Sequence, residues 1–338
     1  MPIIIVPSPG INSIQDAVNI AQPSDVIQVQ NGVYNESVTV NTSDISIVAI
    51  GNNVVLDGVI MTGTGFFIQA DNVEIRGFKI KMYSVGINLS FSNENTITMN
   101  IITDNQDIGI LSAFGNKNNI TNNIVRNNST GILGIQEILG VTITNNTIRN
   151  NRNNGILIRG SNNTITNNEI RNNANNGILM RGTNNTITNN TIRNNANDAI
   201  LFFGLGGTIT KNTIRNNGNR GILINSISST ITNNIIRNNK GCGIAMFSSS
   251  NIIDNNKINT NEGDGIFVFF LSDQNNITRN EITNNGDDGI QINSNNNNIR
   301  ENTVKTNADL DIVDSGTGNN FVDNDCANSQ PPTICSSC

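Results

Sequence analysis

The stretch "NNGILIRGSNNTITNNEIRNNANNGILMRGTNNTITNNTIRNN", Asn153–Asn195, gives nearly the same phrase twice, 22 residues apart. Each copy contains three short pieces, such as "GILI", "NTIT" and "NEIR", with β-branched residues at period two between asparagines or glycines. None has the length or the period of a helix. Three short strands per unit, without a hairpin signal, predict a coil that returns above itself. Each strand then pairs in parallel with its equivalent in the next coil, about 4.8 Å away.

The repeat extends through most of the 338 residues, with units of 22 to 24 residues. The residues that open each unit are Gly86, Gly109, Gly131, Gly155, Gly177, Ala199, Gly221, Gly243, Gly265 and Gly289. Alternation predicts that one apolar set points inward, namely Ile156, Ile158, Ile165 and Ile170, followed one unit later by Ile178, Met180, Ile187 and Ile192. Stacking these side chains fills a narrow core that no single repeat could bury.

Asparagine occupies 71 of the 338 positions, mostly at the corners between the predicted strands. Asparagine tolerates the left-handed backbone conformation, and its amide can bond turn backbone or an asparagine of the next coil. The pattern therefore predicts turns and hydrogen-bonded ladders, and we assign these asparagines no chemistry.

The pattern resembles the right-handed parallel β-helix of the pectate-lyase-like superfamily, and most closely the Asn-rich repeats of NosD-type proteins. The passage "SIQDAVNIAQPSDVIQVQNGVYNESVTV", Ser13–Val40, is similar to the start of such proteins, where an amphipathic helix caps the open core. Here that helix would face the core with Ile14, Ala17, Val18 and Ala21. The resemblance covers about residues 10–325. It implies the fold but no single function, because this fold carries lyases, hydrolases, epimerases, adhesins and scaffolds.

The predicted fold class is therefore all-β, a right-handed parallel β-helix with an N-terminal helical cap. We expect a cap and first coil in residues 1–40, the β-helix in 41–325, and a cysteine-containing tail in 326–338.

Composition excludes several classes of function. The chain has no histidine, which removes the commonest general base and most zinc, copper and iron sites. A net charge of −6 does not favour nucleic acid, and no apolar stretch is long enough to span a membrane. The N-terminal "MPIIIVPSPG" does not have the pattern of a signal peptide.

The resemblance implies no complete active site. Polygalacturonase-like members use an Asn-Thr-Asp, an Asp-Asp, a Gly-His-Gly and an Arg-x-Lys on neighbouring coils. This chain matches only the Asp-Asp, in "GDDGI", Gly286–Ile290. Uronan epimerases and several lyases also require a histidine, or a Lys or Arg base beside calcium. We therefore expect no catalysis.

One group of carboxylates remains a candidate metal or acid–base site. Asp264 and Asp288 occupy the slot before the repeat glycine on adjacent coils, and Asp287 adjoins Asp288. Asp198 fills the same slot earlier, and Asp309 and Asp311 follow in the next coil. Stacked carboxylates about 5 Å apart could bind Ca²⁺ or act as an acid–base pair. The alternative is that each Asp simply replaces a turn asparagine. No other cofactor is expected.

Two outward rows offer surfaces for partners. An apolar row predicted as an interface contains Leu111, Leu133, Leu157, Leu179, Leu201 and Leu223, with Ala245 and Phe267 beyond them. A basic row contains Arg126, Arg149, Arg171, Arg193, Arg215 and Arg237. The apolar row favours self-association, with cover by the protein's own loops, a solvated apolar surface or a ligand groove as alternatives. The basic row could hold a linear anionic polysaccharide, or its guanidinium groups could simply bond asparagine carbonyls.

Two further features are the threonines and the cysteines. Paired threonines such as Thr164 and Thr166 resemble the ranks of ice-binding solenoids, although threonine is also an ordinary outward strand residue. Cys326, Cys335 and Cys338 lie beyond the last repeat, where we expect them to cross-link neighbouring chains after oxidation.

The leading hypothesis is a non-catalytic solenoid that self-associates as a homo-oligomer, fibre or layer at a cell or spore surface. Without a signal peptide, export would follow from non-classical release; otherwise the protein would be cytoplasmic. The alternative is a protein that binds or cleaves polysaccharide, and ice binding is a further alternative. No nucleic acid partner is expected.

Overall fold

The computed structural model describes residues 2–59 and 62–335. The chain forms two compact units, Met1–Glu169 and Ile170–Cys338. In each unit, short strands pair in parallel with the equivalent strands of the preceding and following coils.

The first unit contains one helix, α1 (Ile14–Ile20), and the strands β1 (Ile3–Val6), β2 (Val26–Tyr34), β3 (Val38–Val40), β4 (Ser46–Asp57), β5 (Thr64–Ile68), β6 (Glu74–Arg76), β7 (Lys79–Lys81), β8 (Val85–Asn88), β9 (Thr96–Thr98), β10 (Ile101–Thr103), β11 (Ile108–Ala113), β12 (Asn119–Thr121), β13 (Ile124–Arg126), β14 (Thr130–Leu139), β15 (Thr142–Thr144), β16 (Thr147–Arg149), β17 (Ile156–Ser161) and β18 (Thr164–Thr166). Strand β19 (Glu169–Arg171) includes the boundary.

The second unit contains β20 (Ile178–Thr183), β21 (Thr186–Thr188), β22 (Thr191–Arg193), β23 (Ile200–Leu205), β24 (Thr208–Thr210), β25 (Thr213–Arg215), β26 (Ile222–Ile227), β27 (Thr230–Thr232), β28 (Ile235–Arg237), β29 (Ile244–Met246), β30 (Ile252–Asp254), β31 (Lys257–Asn259), β32 (Ile266–Val268), β33 (Asn276–Thr278), β34 (Glu281–Thr283), β35 (Ile290–Ile292), β36 (Asn298–Arg300), β37 (Thr303–Lys305), β38 (Ile312–Asp314), β39 (Asn320–Val322), β40 (Asp325–Cys326) and β41 (Ser329–Gln330).

Each coil contributes one strand to each of three sheets. In the second unit the first sheet contains β20, β23, β26, β29, β32, β35, β38 and β41. The second sheet there contains β21, β24, β27, β30, β33, β36 and β39, and the third contains β22, β25, β28, β31, β34, β37 and β40. In the first unit the long strand β4 pairs with both β6 and β7, so one strand bends from the second sheet into the third.

The predicted core is confirmed. The eight predicted inward side chains, Ile156, Ile158, Ile165, Ile170, Ile178, Met180, Ile187 and Ile192, are all at most 1% exposed. Most coils stack isoleucine on isoleucine, as in the pairs Ile209–Ile231 and Ile214–Ile236. At roughly 1.5–3 kcal/mol for each fully buried aliphatic side chain, these stacks are the main source of stability.

The two asparagines of each "NN" corner have different roles. The first adopts the left-handed conformation and is exposed, as at Asn189 and Asn233, where φ is 55° and 57°. The second is buried and forms the ladder: the Nδ2 of Asn190 donates to Oδ1 of Asn212 at 3.0 Å, and Asn212 donates to Asn234 at 3.0 Å. The ladder satisfies backbone groups that a buried corner would otherwise leave unpaired. Both expectations for asparagine are confirmed.

The repeat glycine allows neighbouring coils to approach closely. A Cβ on Gly221 would lie 2.4 Å from Cγ2 of Ile236 and 2.6 Å from the carbonyl oxygen of Gly243. Ala199, however, occupies the same slot with no exposed surface.

The helical cap is confirmed as well. Helix α1 packs against β1, β2 and β3, and Ile14, Ala17, Val18 and Ala21 are buried. Ser13 and Asp16 form a capping box at its start.

The ladder continues into the segment expected as a tail. Strands β40 and β41 pair with β37 and β38, and Cys326 pairs with Val304 at an inward position, where its side chain is 7% exposed. Cysteine takes this place because a free or bridged sulfur behaves as a small apolar group.

Candidate functional site

The arginine row lies on the third sheet, at the last residue of each strand. In the first unit, Arg126 of β13 is in register with Arg149 of β16. In the second unit, Arg193, Arg215 and Arg237 are in register on β22, β25 and β28. Each of these side chains is half-buried and points away from the isoleucine core. Guanidinium groups therefore repeat along each unit at about 4.8 Å, the spacing of adjacent strands.

The surroundings of this row in the second unit are basic and hydroxylated. Strands β21, β22, β24, β25, β27 and β28 contain only threonine, isoleucine and arginine, and no acidic residue. The threonine hydroxyls form contacts between coils, for example from Thr232 to Thr210 at 3.1 Å. Exposed Lys211 lies at the corner between β24 and β25. In a chain of net charge −6, this face is locally positive.

Carboxylates and neutral residues mark the ends of the row. Near Arg126, burial would raise the pKa of Asp104, but hydrogen bonds from Thr103 and Asn127 and the Arg126 charge outweigh it and lower the pKa. After Arg237 the same position is held by Asn259 and Thr283.

The carboxylate group of Asp264, Asp287 and Asp288 is brought together as expected. One oxygen of each lies within 4.8 Å of the others; Asp264 and Asp288 are buried, whereas Asp287 is exposed. Both buried residues also accept backbone hydrogen bonds from the next coil. Asp264 Oδ1 accepts from the N–H of Asp288 at 3.2 Å, and Asp288 Oδ1 accepts from the N–H of Leu310 at 3.0 Å.

The same type of hydrogen bond, from a backbone N–H of the next coil to the side chain in this slot, also occurs around Asp198, away from this carboxylate group. Asn176 Oδ1 accepts from the N–H of Asp198, and Asp198 Oδ1 accepts from the N–H of Arg220. Asp198 also forms an ion pair with Arg220 at 3.0 Å. Asp311 likewise accepts the N–H groups of Ala327 and Asn328. The aspartates in this slot thus take the place of a ladder asparagine, which accounts for their position without any chemistry.

Burial and neighbouring negative charges raise the pKa values of the two buried carboxylates. Burial, and then the charge of Asp287, raises the pKa of Asp264 to about 6. Burial also raises the pKa of Asp288. Cys242, whose sulfur lies 3.5 Å from Asp264 Oδ2, has its pKa raised to about 12 by burial and then by the Asp264 charge. Three carboxylates without histidine suit a hard cation such as Ca²⁺, but Ca²⁺ usually takes six to eight oxygens, so any binding here would be weak.

The apolar row lies on the outer surface of the first sheet. In the first unit, Leu111 pairs with Leu133 and Leu133 with Leu157. In the second unit, Leu179, Leu201 and Leu223 are in register, and Ala245 and Phe267 continue the row. The leucines and Phe267 are half-buried, and Ala245 is covered by its neighbours.

Sequence reasoning missed a second apolar column beside this row. The strands β23 and β26 have six residues rather than the four of the "GILI" phrase, so their alternation continues outward through Phe203, Leu205 and Ile227. The signal was present, because Leu205 and Ile227 follow the leucines at period two. Gly204 and Ser226 interrupt the apolar pattern of these strands.

A pair of aromatic rings stands at a corner of the first unit. Phe91 and Phe114 have left-handed backbones, at φ 61° and 55°, and their exposed rings stack at 4.7 Å. An open depression of about 460 Å³ lies between Phe114 and the exposed residues Gln136 and Glu137. No pattern in the sequence predicts this pair of rings.

The cysteines differ from expectation. Cys326 and Cys335 form a disulfide with each other, with their Cα atoms 5.1 Å apart. Both sulfurs are therefore used within the chain and are not available to cross-link neighbours, because the coil-ending strand β40 places Cys326 beside the returning segment. Cys338 lies outside the described residues.

Two family models match the chain, each over more than half of its length. The model described as right handed beta helix region matches residues 134–269 and 208–327. The model described as periplasmic copper-binding protein (NosD) matches residues 8–198. No curated protein sequence matches the chain significantly.

Solved structures with the same fold include carbohydrate-active proteins and an adhesin. The A-module of mannuronan C-5 epimerase AlgE6 from Azotobacter vinelandii is 14% identical, with a TM-score of 0.65 over 94% of this chain and 93% of that one. The surface adhesin PfbA of Streptococcus pneumoniae is 14% identical, with a TM-score of 0.58 over 89% and 87%. Pectate lyase Pel9A is 15% identical, with a TM-score of 0.51 over 74% and 77%. At these identities the likeness establishes the fold alone.

The stacked coils, isoleucine core and asparagine ladders define a right-handed parallel β-helix of the pectate-lyase-like fold. No helix in residues 2–59 or 62–335 combines the length and apolar character needed to cross a bilayer. The chain belongs to the NosD family of right-handed β-helix repeat proteins.

Proposed function

We propose that the protein binds an acidic polysaccharide along the arginine-bearing face of the third sheet and does not cleave it. The observation that carries the proposal is the row Arg193, Arg215 and Arg237, in register on strands that contain no acidic residue. Guanidinium groups suit carboxylates because their planar donors can form two parallel hydrogen bonds. The adjacent threonine hydroxyls can bond sugar hydroxyls.

The spacing of the row favours a linear polymer over a small anion. One coil advances about 4.8 Å, which is close to the length of one sugar unit in an extended chain. A polymer with one carboxylate per sugar therefore stays in step with the arginines over several coils. A single small anion would meet only one or two of them.

The comparisons support this choice of ligand class. The structural neighbours include proteins named for acidic polysaccharides, a mannuronan epimerase and a pectate lyase, as well as a surface adhesin. They favour a polysaccharide-related function over the structural layer expected from sequence. The periplasmic description of the family and a polysaccharide ligand both fit a location outside the cytoplasm.

Binding without cleavage follows from where the carboxylates lie. The coils that carry Asp264 and Asp288 have Asn259 and Thr283 in the arginine position, so no coil offers both an arginine of the row and a member of the carboxylate group. The chain also lacks histidine. The coils whose arginines would hold the polymer therefore carry no member of the carboxylate group.

Copper, which the family description names, does not fit the residues present. Proteins hold copper mainly through imidazole, thiolate and thioether groups, whereas carboxylates suit Ca²⁺, Mg²⁺ and Mn²⁺. This chain has no histidine, and among residues 2–59 and 62–335 the gathered ligands are three carboxylates. Burial and the Asp264 charge raise the pKa of the neighbouring thiol, Cys242, to about 12, which disfavours the thiolate that would bind a metal. We assign no copper site.

The test is binding of polygalacturonate at low ionic strength, with neutral dextran as the comparison polymer. Replacing Arg193, Arg215 and Arg237 by glutamine removes three charge-assisted contacts. At about 1 kcal/mol each, the affinity should fall at least a hundredfold. Added salt should weaken binding by the unmodified protein because these groups are partly exposed.

A matched control removes the same charge elsewhere. Arg76, Arg159 and Arg300 are exposed and lie outside the row, so their triple replacement by glutamine should change affinity less than threefold. Equal losses in the two triple variants would mean that only net charge matters and would refute the proposed face. Release of reducing or unsaturated ends from polygalacturonate would refute binding without cleavage.

A further inference from the structure

The outer surface of the first sheet in the second unit is a mainly apolar face with three columns. The first column is the leucine row with Phe267. The middle column contains Arg181, Phe203, the exposed Asn225, Phe247 and Phe269, and the third contains Leu205 and Ile227. Leu205 and Ile227 are 49% and 51% exposed, and Phe269 is 44% exposed. The segment Ser329–Gln330 pairs with β38 at the end of this sheet and leaves these side chains uncovered. Exposed apolar faces of this kind mark interfaces.

The face is self-complementary. A two-fold axis that runs parallel to the strands, between β23 and β26, reverses the order of the coils and keeps each column opposite itself. It places Leu201 against Leu223 of a second copy, and Leu205 against Ile227. One coil further out, Leu179 meets the position of the small Ala245, which its own neighbours cover. An isologous interface needs this reciprocity.

The same axis also gives the positive charge of Arg181 a favourable partner in the second copy. Arg181 is exposed and already lies 4.9 Å from the ring centroid of Phe203 in its own chain. Across the axis it faces the aromatic cluster formed by Phe247 and Phe269, whose rings are 4.8 Å apart. A guanidinium over aromatic rings is favourable once water is removed. An axis through the coil of Arg181 would instead bring two arginines together.

The area suits a reversible dimer. The axis between β23 and β26 pairs four coils of the second unit, β20 with β29 and β23 with β26. Four coils of about 4.8 Å and up to six residues of about 3.3 Å give a face of at most about 19 by 20 Å, or about 380 Å² in projection on each copy. Doubled, this is about 760 Å², below the roughly 1,200 Å² of standard-size interfaces and in the range of weak, reversible ones; upright side chains add to the projected value. A dissociation constant in the micromolar range is expected rather than permanent association.

We propose that the first sheet of the second unit is a dimer interface that binds a second copy of this chain about the two-fold axis between β23 and β26. The arginine row lies on the third sheet, so dimerisation does not cover it in either copy. Dimerisation therefore doubles the number of polymer-binding faces without using them. The proposal does not depend on what those faces bind.

Sedimentation velocity between about 1 and 100 µM tests the interface. The unmodified protein should pass from monomer to dimer across this range, and the dimer should run as a monomer on a non-reducing denaturing gel. In a two-fold symmetric dimer, Leu205→Lys or Ile227→Glu changes both symmetry-related contacts. Each substitution should therefore raise the dissociation constant about a hundredfold. The control Ile252→Lys changes an isoleucine of similar exposure, 42%, on the second sheet and should have no effect.

Mixing the two variants tests the geometry. In a mixed dimer, Lys at 205 of one chain faces Glu at 227 of the other, and the second contact remains Leu with Ile. The mixture should therefore dimerise where neither variant does alone, with both variants retaining the circular dichroism spectrum of the parent. A monomer at 100 µM, or an effect of Ile252→Lys equal to the others, would overturn the interface. Failure of the mixture to associate would overturn the proposed axis.

Discussion

Replacing the ladder asparagine Asn234 by alanine should destabilise the fold far more than replacing its neighbour Asn233. The Asn234 side chain is 1% exposed. Its Oδ1 accepts from the backbone N–H of Asn212 at 2.9 Å, and its Nδ2 donates to the carbonyl of Ile209 at 2.9 Å. Alanine leaves the buried N–H of Asn212 unpaired and removes one hydrogen bond from the Ile209 carbonyl, which lies in the ladder between β24 and β27. At roughly 1–3 kcal/mol for the unsatisfied N–H and about 1 kcal/mol for the lost hydrogen bond, the expected loss is about 2–4 kcal/mol.

Asn233 provides the matched control. It is exposed, with φ 57°, and its side chain only accepts an exposed bond from Asn255 at 2.7 Å. Asn233→Ala should cost about 1 kcal/mol, because alanine lacks the polar side chain that lets asparagine adopt the left-handed conformation at low cost. Urea unfolding followed by circular dichroism gives both values, and hydrogen exchange at the Asn212 amide reports the local opening. A loss for Asn234→Ala no larger than for Asn233→Ala would refute the ladder as a stabilising element.

Three further outcomes are expected. Ile187→Asp should prevent folding of the second unit, because it places an unpaired charge in a core position that is fully buried; a soluble variant with the parent's melting temperature would contradict the assigned register. Burial and then the Asp287 charge raise the pKa of Asp264 to about 6 from 3.8, so its contribution should make the free energy of unfolding fall as pH rises from about 4 to 6, by at most about 3 kcal/mol. Asp264→Asn should reduce that fall and leave the part that comes from the raised pKa of Asp288, and an unchanged pH profile would count against the shift. Cys335→Ser should leave the β-helix folded but make the segment after Cys326 sensitive to protease, and equal cleavage rates with and without the disulfide would show that the bridge holds nothing in place.

The sequence predicts the fold well because several separate patterns in it require the same structure. The 22-residue period, the alternation around Ile187 and the Asn-Asn corners all require the same coil, and the cap residues Ile14 and Val18 fit a helix over its end. What it cannot predict is where a strand stops. The outward column through Leu205 and Ile227 depends on two extra residues per strand, which propensity alone does not decide.

The candidate sites also differ in how far the sequence predicts them. The rows are predictable because they follow from register, and the arginines and leucines lie where the period places them. The roles of Asp264 and Asp288 cannot be predicted from the sequence. An aspartate that replaces a ladder asparagine and one that binds a cation have the same sequence pattern. Likewise, spacing cannot reveal that Cys326 enters the core ladder and pairs with Cys335.

The most direct test of the proposed function is a crystal structure of the protein with an oligogalacturonate of about six sugars, grown at low ionic strength. The account predicts the chain lying along the third sheet, parallel to the stack of coils, with successive carboxylates at Arg193, Arg215 and Arg237 and about one sugar per coil. A sugar chain bound instead across the carboxylate group of Asp264, Asp287 and Asp288, or on the apolar face of the first sheet, would contradict it.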